Sequence, residues 1–243
     1  MISYRNVNPN KRFSASREEE NSLLFTSFFM PLVAIALMWL VKAFEHVSGY
    51  DLAVHGIFPR TLKGLQGVLF SPFLHGDWQH LVSNSLPFLI LGFLMLYSYR
   101  KVAFKSFVFI WFASGFMVWL TGRPSYHIGA SNLVYGFAFF LFFSGIFRRD
   151  IQSIAMALLV TFIYGSMVWG IFPFRWEISW EGHLMGGISG AVMAWYYRKV
   201  DLPEPVELED EEEDDDAFFD DDDDSPIRYL YKEDEDRAHP DGR

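Results

Sequence analysis

The chain contains no cysteine. Disulfides, thiolate metal sites and a cysteine nucleophile are therefore excluded. Acids are almost missing from its long apolar runs. That argues against a small transporter, which needs paired intramembrane charges or repeat-related broken helices. No helical His-x-x-x-His pair joins His75, His80, His127 and His183, and no carboxylate is well placed beside them, so no metal site is expected. A cleavable signal is not expected either. The first apolar run starts near Ser22, behind a polar, mixed-charge stretch, and is long enough to be retained as a span.

Apolar residues are abundant. They make up 51% of the 243 residues, and 19% are aromatic, gathered in blocks and not in an amphipathic rhythm. Charge is segregated. Residues 200–243 hold 21 acids and four bases, whereas the other 199 residues hold 16 bases and nine acids. The acidic balance thus describes the tail alone. Its runs Glu207–Asp216 and Asp220–Asp224 repel themselves and are expected to be disordered. Ile227–Tyr231 is its one apolar docking candidate, with no partner indicated.

Six segments have roughly the 20 residues a span needs: Ser22–Phe44, His80–Tyr99, Val102–Leu120, Ser131–Phe147, Ile151–Phe172 and His183–Tyr197. The last is short and rich in glycine. Pro31 and Pro87 fall inside spans, where kinks are expected. Eleven bases (Arg5, Lys11, Arg12, Arg17, Arg100, Lys101, Lys105, Arg148, Arg149, Arg198 and Lys199) gather on one side. Only Lys42, Arg60, Lys63, Arg123 and Arg175 fall on the other. The asymmetry puts both termini in the cytoplasm. The expected organisation is a cytoplasmic segment 1–21, a six-helix membrane domain 22–199 with a long outer loop 45–79, and the acidic tail 200–243. That outer loop is unusually apolar, with Tyr50 and Trp78 expected at headgroup level.

In this orientation the second, fourth and sixth spans begin at the outer face, with His80, Ser131 and His183. A lone membrane serine usually caps its own backbone, and a lone histidine is often only a hydrogen bonder. Here the neighbours are unusual. Gly129 and Ala130 keep the approach to Ser131 small, and a helix start offers free N–H groups and a positive dipole to a developing oxyanion. Gly182, Gly186, Gly190 and Ala194 recur every fourth residue, a face that lets His183's helix press against another. His183 then suits a general base for Ser131. Glu181 is expected in a loop and not as an orienting partner, which leaves a two-residue dyad. His80 and Asn84, four residues apart on one face, can both donate to an oxyanion.

These residues resemble the rhomboid intramembrane serine proteases over about residues 65–198. The likeness is carried by Ser71-Pro72-Phe73-Leu74-His75-Gly76-Asp77-Trp78-Gln79-His80 with Asn84 and Gly92, by Gly129-Ala130-Ser131 with Tyr135, and by Gly182-His183 with Gly186 and Gly190. The resemblance implies an all-α, six-transmembrane-helix bundle and a Ser131–His183 dyad. It also implies an oxyanion site including His80 and Asn84, and Tyr135 packed on the His183 ring. Implied substrates are single-pass membrane proteins in the bilayer, with no metal, cofactor or nucleic acid. A six-span chain of this kind suits a bacterial inner membrane. Two positions depart from the pattern: Asn132 follows the serine where glycine is usual, and Leu65-Gln66 stands near the place of a Trp-Arg pair. Asn132 is the one residue favouring the rival reading, an inactive relative that binds transmembrane helices without cutting them.

Overall fold

The computed structural model describes residues 17–200. Most of the expected N-terminal segment and the acidic tail lie outside the described residues. Six long helices dominate: α1 Arg17–Ser48, α2 Trp78–Ser98, α3 Ala103–Thr121, α4 Ser131–Arg148, α5 Ile151–Tyr164 and α6 Trp180–Tyr196. A 3₁₀ stretch, Gly165–Ile171, continues α5. Five of these elements are long and apolar enough to cross a membrane: α1 to α4, and α5 with its extension. α6, at 17 residues, is shorter than they are. Pro31 and Pro87 lie within uninterrupted helices.

Local chemistry sets the helix ends. Asp77 caps α2 by accepting from His80 N at 2.8 Å, and Asp150 caps α5 by accepting from Ser153 N at 3.0 Å. Arg149 takes a left-handed conformation (φ 58°) between the end of α4 and that second cap. A sharp reversal results, so α4 and α5 pack side by side.

α4 is the axis of the bundle. Of its apolar window 72% is buried, against 11–33% in the other four candidate spans. Its tightest neighbour is α6, and the reason is glycine. A Cβ on Gly186 would overlap the carbonyl oxygen of Asn132, and one on Gly190 would overlap that of Gly136. Gly136 in turn has no room for a Cβ beside Ile110 of α3. Backbones this close gain dispersion contacts that larger residues would prevent.

At the Arg148 end the helices are tied by a buried polar group. Arg148 lies 3.7 Å from Asp150 and over the Tyr99 ring at 5.0 Å, while Tyr99 Oη donates to Ser153 Oγ at 3.2 Å. At the opposite end the long α1–α2 connection folds into short helical turns. It is held by Trp111 and Trp119 of α3, whose Nε1 atoms donate to Val68 O (3.0 Å) and Thr61 O (2.8 Å). These two indoles support the loop in which the Trp-Arg pair is missing. Lys42 of α1 pairs with Glu45 at 2.6 Å and donates to Gly76 O at 2.9 Å, fastening the segment that leads into α2.

The glycine seam makes a direct prediction. Gly186→Val forces a branched side chain into the Asn132 carbonyl, an overpacking of the kind that costs about 1–3 kcal/mol. Thermal melting of the purified protein in detergent should fall by several degrees, whereas Ile188→Val, two residues away at a 39% exposed site, should leave it unchanged. Equal melting of both variants would contradict the close approach of α4 and α6.

Candidate active site

A cavity of about 790 Å³ opens between the starts of α2, α4 and α6. It is lined by His80, Asn84, Ser131, Tyr135 and His183, together with Ser125, Tyr126, His127 and Ser179. A smaller cavity of about 240 Å³ between α1, α2 and α3 is lined by apolar residues such as Pro31, Phe88 and Trp111, and has none of these polar groups.

Ser131 is the first residue of α4. Gly129, at φ 103°, turns the chain into the helix, a conformation that favours glycine. Its N–H donates to Ser71 O at 2.9 Å, tying the turn to the long connection. Ala130 has no side chain able to cap α4. The orphan N–H groups of the first turn are therefore left for another acceptor.

His183 lies in the first turn of α6, buried, with its ring in the cavity wall. Tyr135, one turn beyond Ser131, stacks on it at 4.1 Å between centroids and 7° between planes. The Tyr135 hydroxyl donates to Met167 O at 2.8 Å, and His183 Nδ1 lies 2.8 Å from Gly170 O. A carbonyl only accepts, so Nδ1 carries the proton and Nε2 keeps a free lone pair. Both carbonyls come from the 3₁₀ extension of α5. Hydropathy alone makes Ile151–Phe172 a uniform span and gives no sign of this tightening. Gly165 and Gly170, which interrupt the apolar run, were the available signal. No hydrogen bond joins Ser131 Oγ to His183 among the described residues. Such bonds are often long before substrate binds.

His80 and Asn84 occupy adjacent turns of α2 and reach the same wall. Gly129 makes room for them, because a Cβ there would come within 2.7 Å of His80 Nε2 and 3.3 Å of Asn84 Nδ2. Asn84 Nδ2 is buried and has no partner among the described residues. Behind His80 stands His75, edge-on at 5.1 Å between centroids. Burial, aided by His80, presses the His75 imidazole down to about 3, so it is a neutral wall to the site.

One expectation needs correction. Glu181 is not in a loop. It lies in the first turn of α6, only 5% exposed, with Oε1 accepting from Arg123 N at 3.3 Å. A helix start after Ser179, three residues earlier than expected, turns it inward. The Asn132 side chain does not line the cavity. Its Nδ2 donates to Ser114 Oγ of α3 at 2.8 Å, so the added side chain is absorbed between helices.

Comparison with known proteins identifies the family. The rhomboid domain model matches residues 63–200. An uncharacterized protein of Mycobacterium tuberculosis is 39% identical over 173 residues, covering 68% of this chain and 72% of that protein. One from Mycobacterium leprae is 35% identical over 173 residues, 68% of each. A protein of Acanthamoeba polyphaga mimivirus whose name calls it a rhomboid protein is 34% identical over 141 residues, 56% of this chain and 77% of its own length. No solved structure matches. With apolar helices long enough to span a bilayer and a family match over most of its helical domain, the chain is an integral membrane protein that belongs to the rhomboid family.

Proposed function

We propose that the protein is a serine endopeptidase that cuts transmembrane segments of membrane-protein substrates through a Ser131–His183 dyad. The observation that carries the reading is the state of His183. Its Nδ1–H is taken up by Gly170 O and its plane is set by Tyr135, which leaves the Nε2 lone pair in the cavity that also holds Ser131. A general base needs that tautomer.

In this mechanism Nε2 takes the Ser131 proton as Oγ attacks the substrate carbonyl carbon. The oxyanion is met by Asn84 Nδ2, the His80 ring and the N–H groups at the start of α4. As the C–N bond breaks, the imidazolium gives its proton to the departing amine. Water then enters and loses a proton to Nε2 as it bonds to the acyl carbon; the Oγ–C bond breaks, the acid product leaves, and the imidazolium returns the proton to Ser131 Oγ. Gly129 and Gly186 serve by being small: one admits His80 and Asn84, the other brings α6 against α4.

The same reading takes α6 as a sixth span. The membrane domain is then 22–199, flanked by a cytoplasmic N-terminal segment and a cytoplasmic acidic tail, with the cavity opening outwards. The distribution of lysine and arginine supports this orientation, and a bacterial inner membrane is the proposed location. Tags at both ends should be digested by protease only when the cytoplasmic face is opened. Digestion of either tag in intact cells would refute the orientation.

The principal test uses detergent-purified protein with a model single-pass substrate. Wild type should cut it and take a fluorophosphonate label, and Ser131→Ala should do neither. His183→Ala should lower the rate by about 10²–10⁴-fold. Asn84→Ala, which removes one oxyanion donor, should lower kcat by about 10²–10³-fold. Cleavage surviving in Ser131→Ala would refute the dyad. A folded wild type that neither cuts nor labels would favour a helix-binding protein without activity.

A further inference from the structure

The polar residues beside the cavity that the dyad does not use form one connected cluster. Arg123, in the loop between α3 and α4, reaches across to the start of α6. Its backbone N–H donates to Glu181 Oε1 at 3.3 Å, its Nε lies 3.6 Å from the same oxygen, and its Nη2 donates to Ile178 O at 2.7 Å. The guanidinium covers the Trp176 ring at 5.5 Å. His127, in the same loop, continues the link. Its Nε2 faces Arg123 O at 3.1 Å, so Nε2 carries the proton and Nδ1 accepts from Ser179 Oγ at 2.6 Å. Burial lowers the His127 pKa, which favours this neutral ring. Paired backbone bonds with Ile57 fix His127 to the long connection as well.

The cluster is costly to bury. Glu181 Oε2 and Arg123 Nη1 have no hydrogen-bond partner among the described residues. A buried ion pair with unfilled valences adds little net stability compared with apolar residues of the same volume. Its position is more telling. Glu181 stands two residues before His183, and His127 four residues before Ser131. Gly186, one turn below His183, already fixes the spacing of α6 from α4 at Asn132. A second fixed point above the histidine sets the tilt as well as the spacing.

We propose that the Arg123–Glu181 pair, seated on His127 and Ser179, is a positioning device that holds the first turn of α6 at the distance and tilt from the first turn of α4 required for proton transfer between Ser131 and His183. This rests on the dyad reading above. Neither residue touches the reacting atoms. They act through the helix start that carries His183, where a shift of 1 Å costs about 10²-fold in rate.

The test compares full-length wild type, Glu181→Gln and the double variant Arg123→Met/Glu181→Leu with the same single-pass substrate. Cleavage kinetics, fluorophosphonate labelling rate and melting temperature are measured on each. In Glu181→Gln, kcat and labelling rate should fall by about 10–100-fold while KM stays within about twofold. The double variant should melt no lower than wild type, since no buried charge is left uncompensated, and yet show the same loss of kcat. Its inclusion keeps the test decisive if Glu181→Gln does not fold. Wild-type kcat in either variant would overturn the proposal, because the cluster would then be filler. A loss expressed only in KM would overturn it too. A wild type that neither labels nor cuts removes the dyad reading, and the positioning role falls with it. A labelled, active wild type beside unaffected variants removes the positioning role alone.

Discussion

The approach of the α4 and α6 backbones is the contact on which the rest of the site depends. Lipid tails are as apolar as leucine, so helices in a bilayer are not driven together by the hydrophobic effect, and close packing has to supply the attraction. Glycine at 136, 186 and 190 permits that packing by removing the side chains that would hold the helices apart. The register of this seam has a chemical result. It sets Gly186 against Asn132, and thereby brings His183, one turn above, into the cavity that begins at Ser131. Were the seam shifted by one residue, α6 would rotate by about 100° and carry the imidazole away from the serine.

A second constraint acts on the polar groups gathered at that end. Each donor or acceptor removed from water needs a partner, and helices interrupted near the cavity provide them. Where α5 tightens into a 3₁₀ turn, the carbonyls of Met167 and Gly170 are turned toward Tyr135 and His183. The start of α4, which no side chain caps, provides donors. Asn84 Nδ2 is one of several exceptions, a buried donor without an acceptor among the described residues, and Asn84 lines the cavity that holds Ser131. An unpaired donor is expensive in a finished fold and useful where an anion forms during reaction.

Much of this was legible in the sequence, and the division between what was and was not is physical. The long apolar runs, the helix starts at Ser131 and near His80 and His183, and the every-fourth-residue glycines follow from local patterns of hydropathy and size. They read correctly to within a few residues. The face shared by His80 and Asn84 follows from helical periodicity. Gly170, Met167, Arg123 and Ser114 were not legible in their roles, because each acts through a residue 13 to 58 positions away. Such pairings depend on which loops and helices meet in space. The burial of Glu181 is the clearest case. A boundary three residues earlier converts a loop carboxylate into an inward-facing one.

Asn132 shows how the same geometry decides the meaning of a departure from the family pattern. Successive residues of a helix point about 100° apart, so the side chain after Ser131 does not share its direction. It enters the seam between α4 and α3, where Ser114 is fully buried and small enough to leave space. The amide finds an acceptor there in Ser114 Oγ, which itself donates to Trp111 O at 3.3 Å. One oxygen, Oδ1, stays unpaired, so the arrangement carries a cost in stability. That cost falls on helix packing and not on the chemistry. The cavity wall is formed by Ser131, Val134 and Tyr135 of α4 without Asn132, so the added side chain stands in the way of neither Ser131 nor His183.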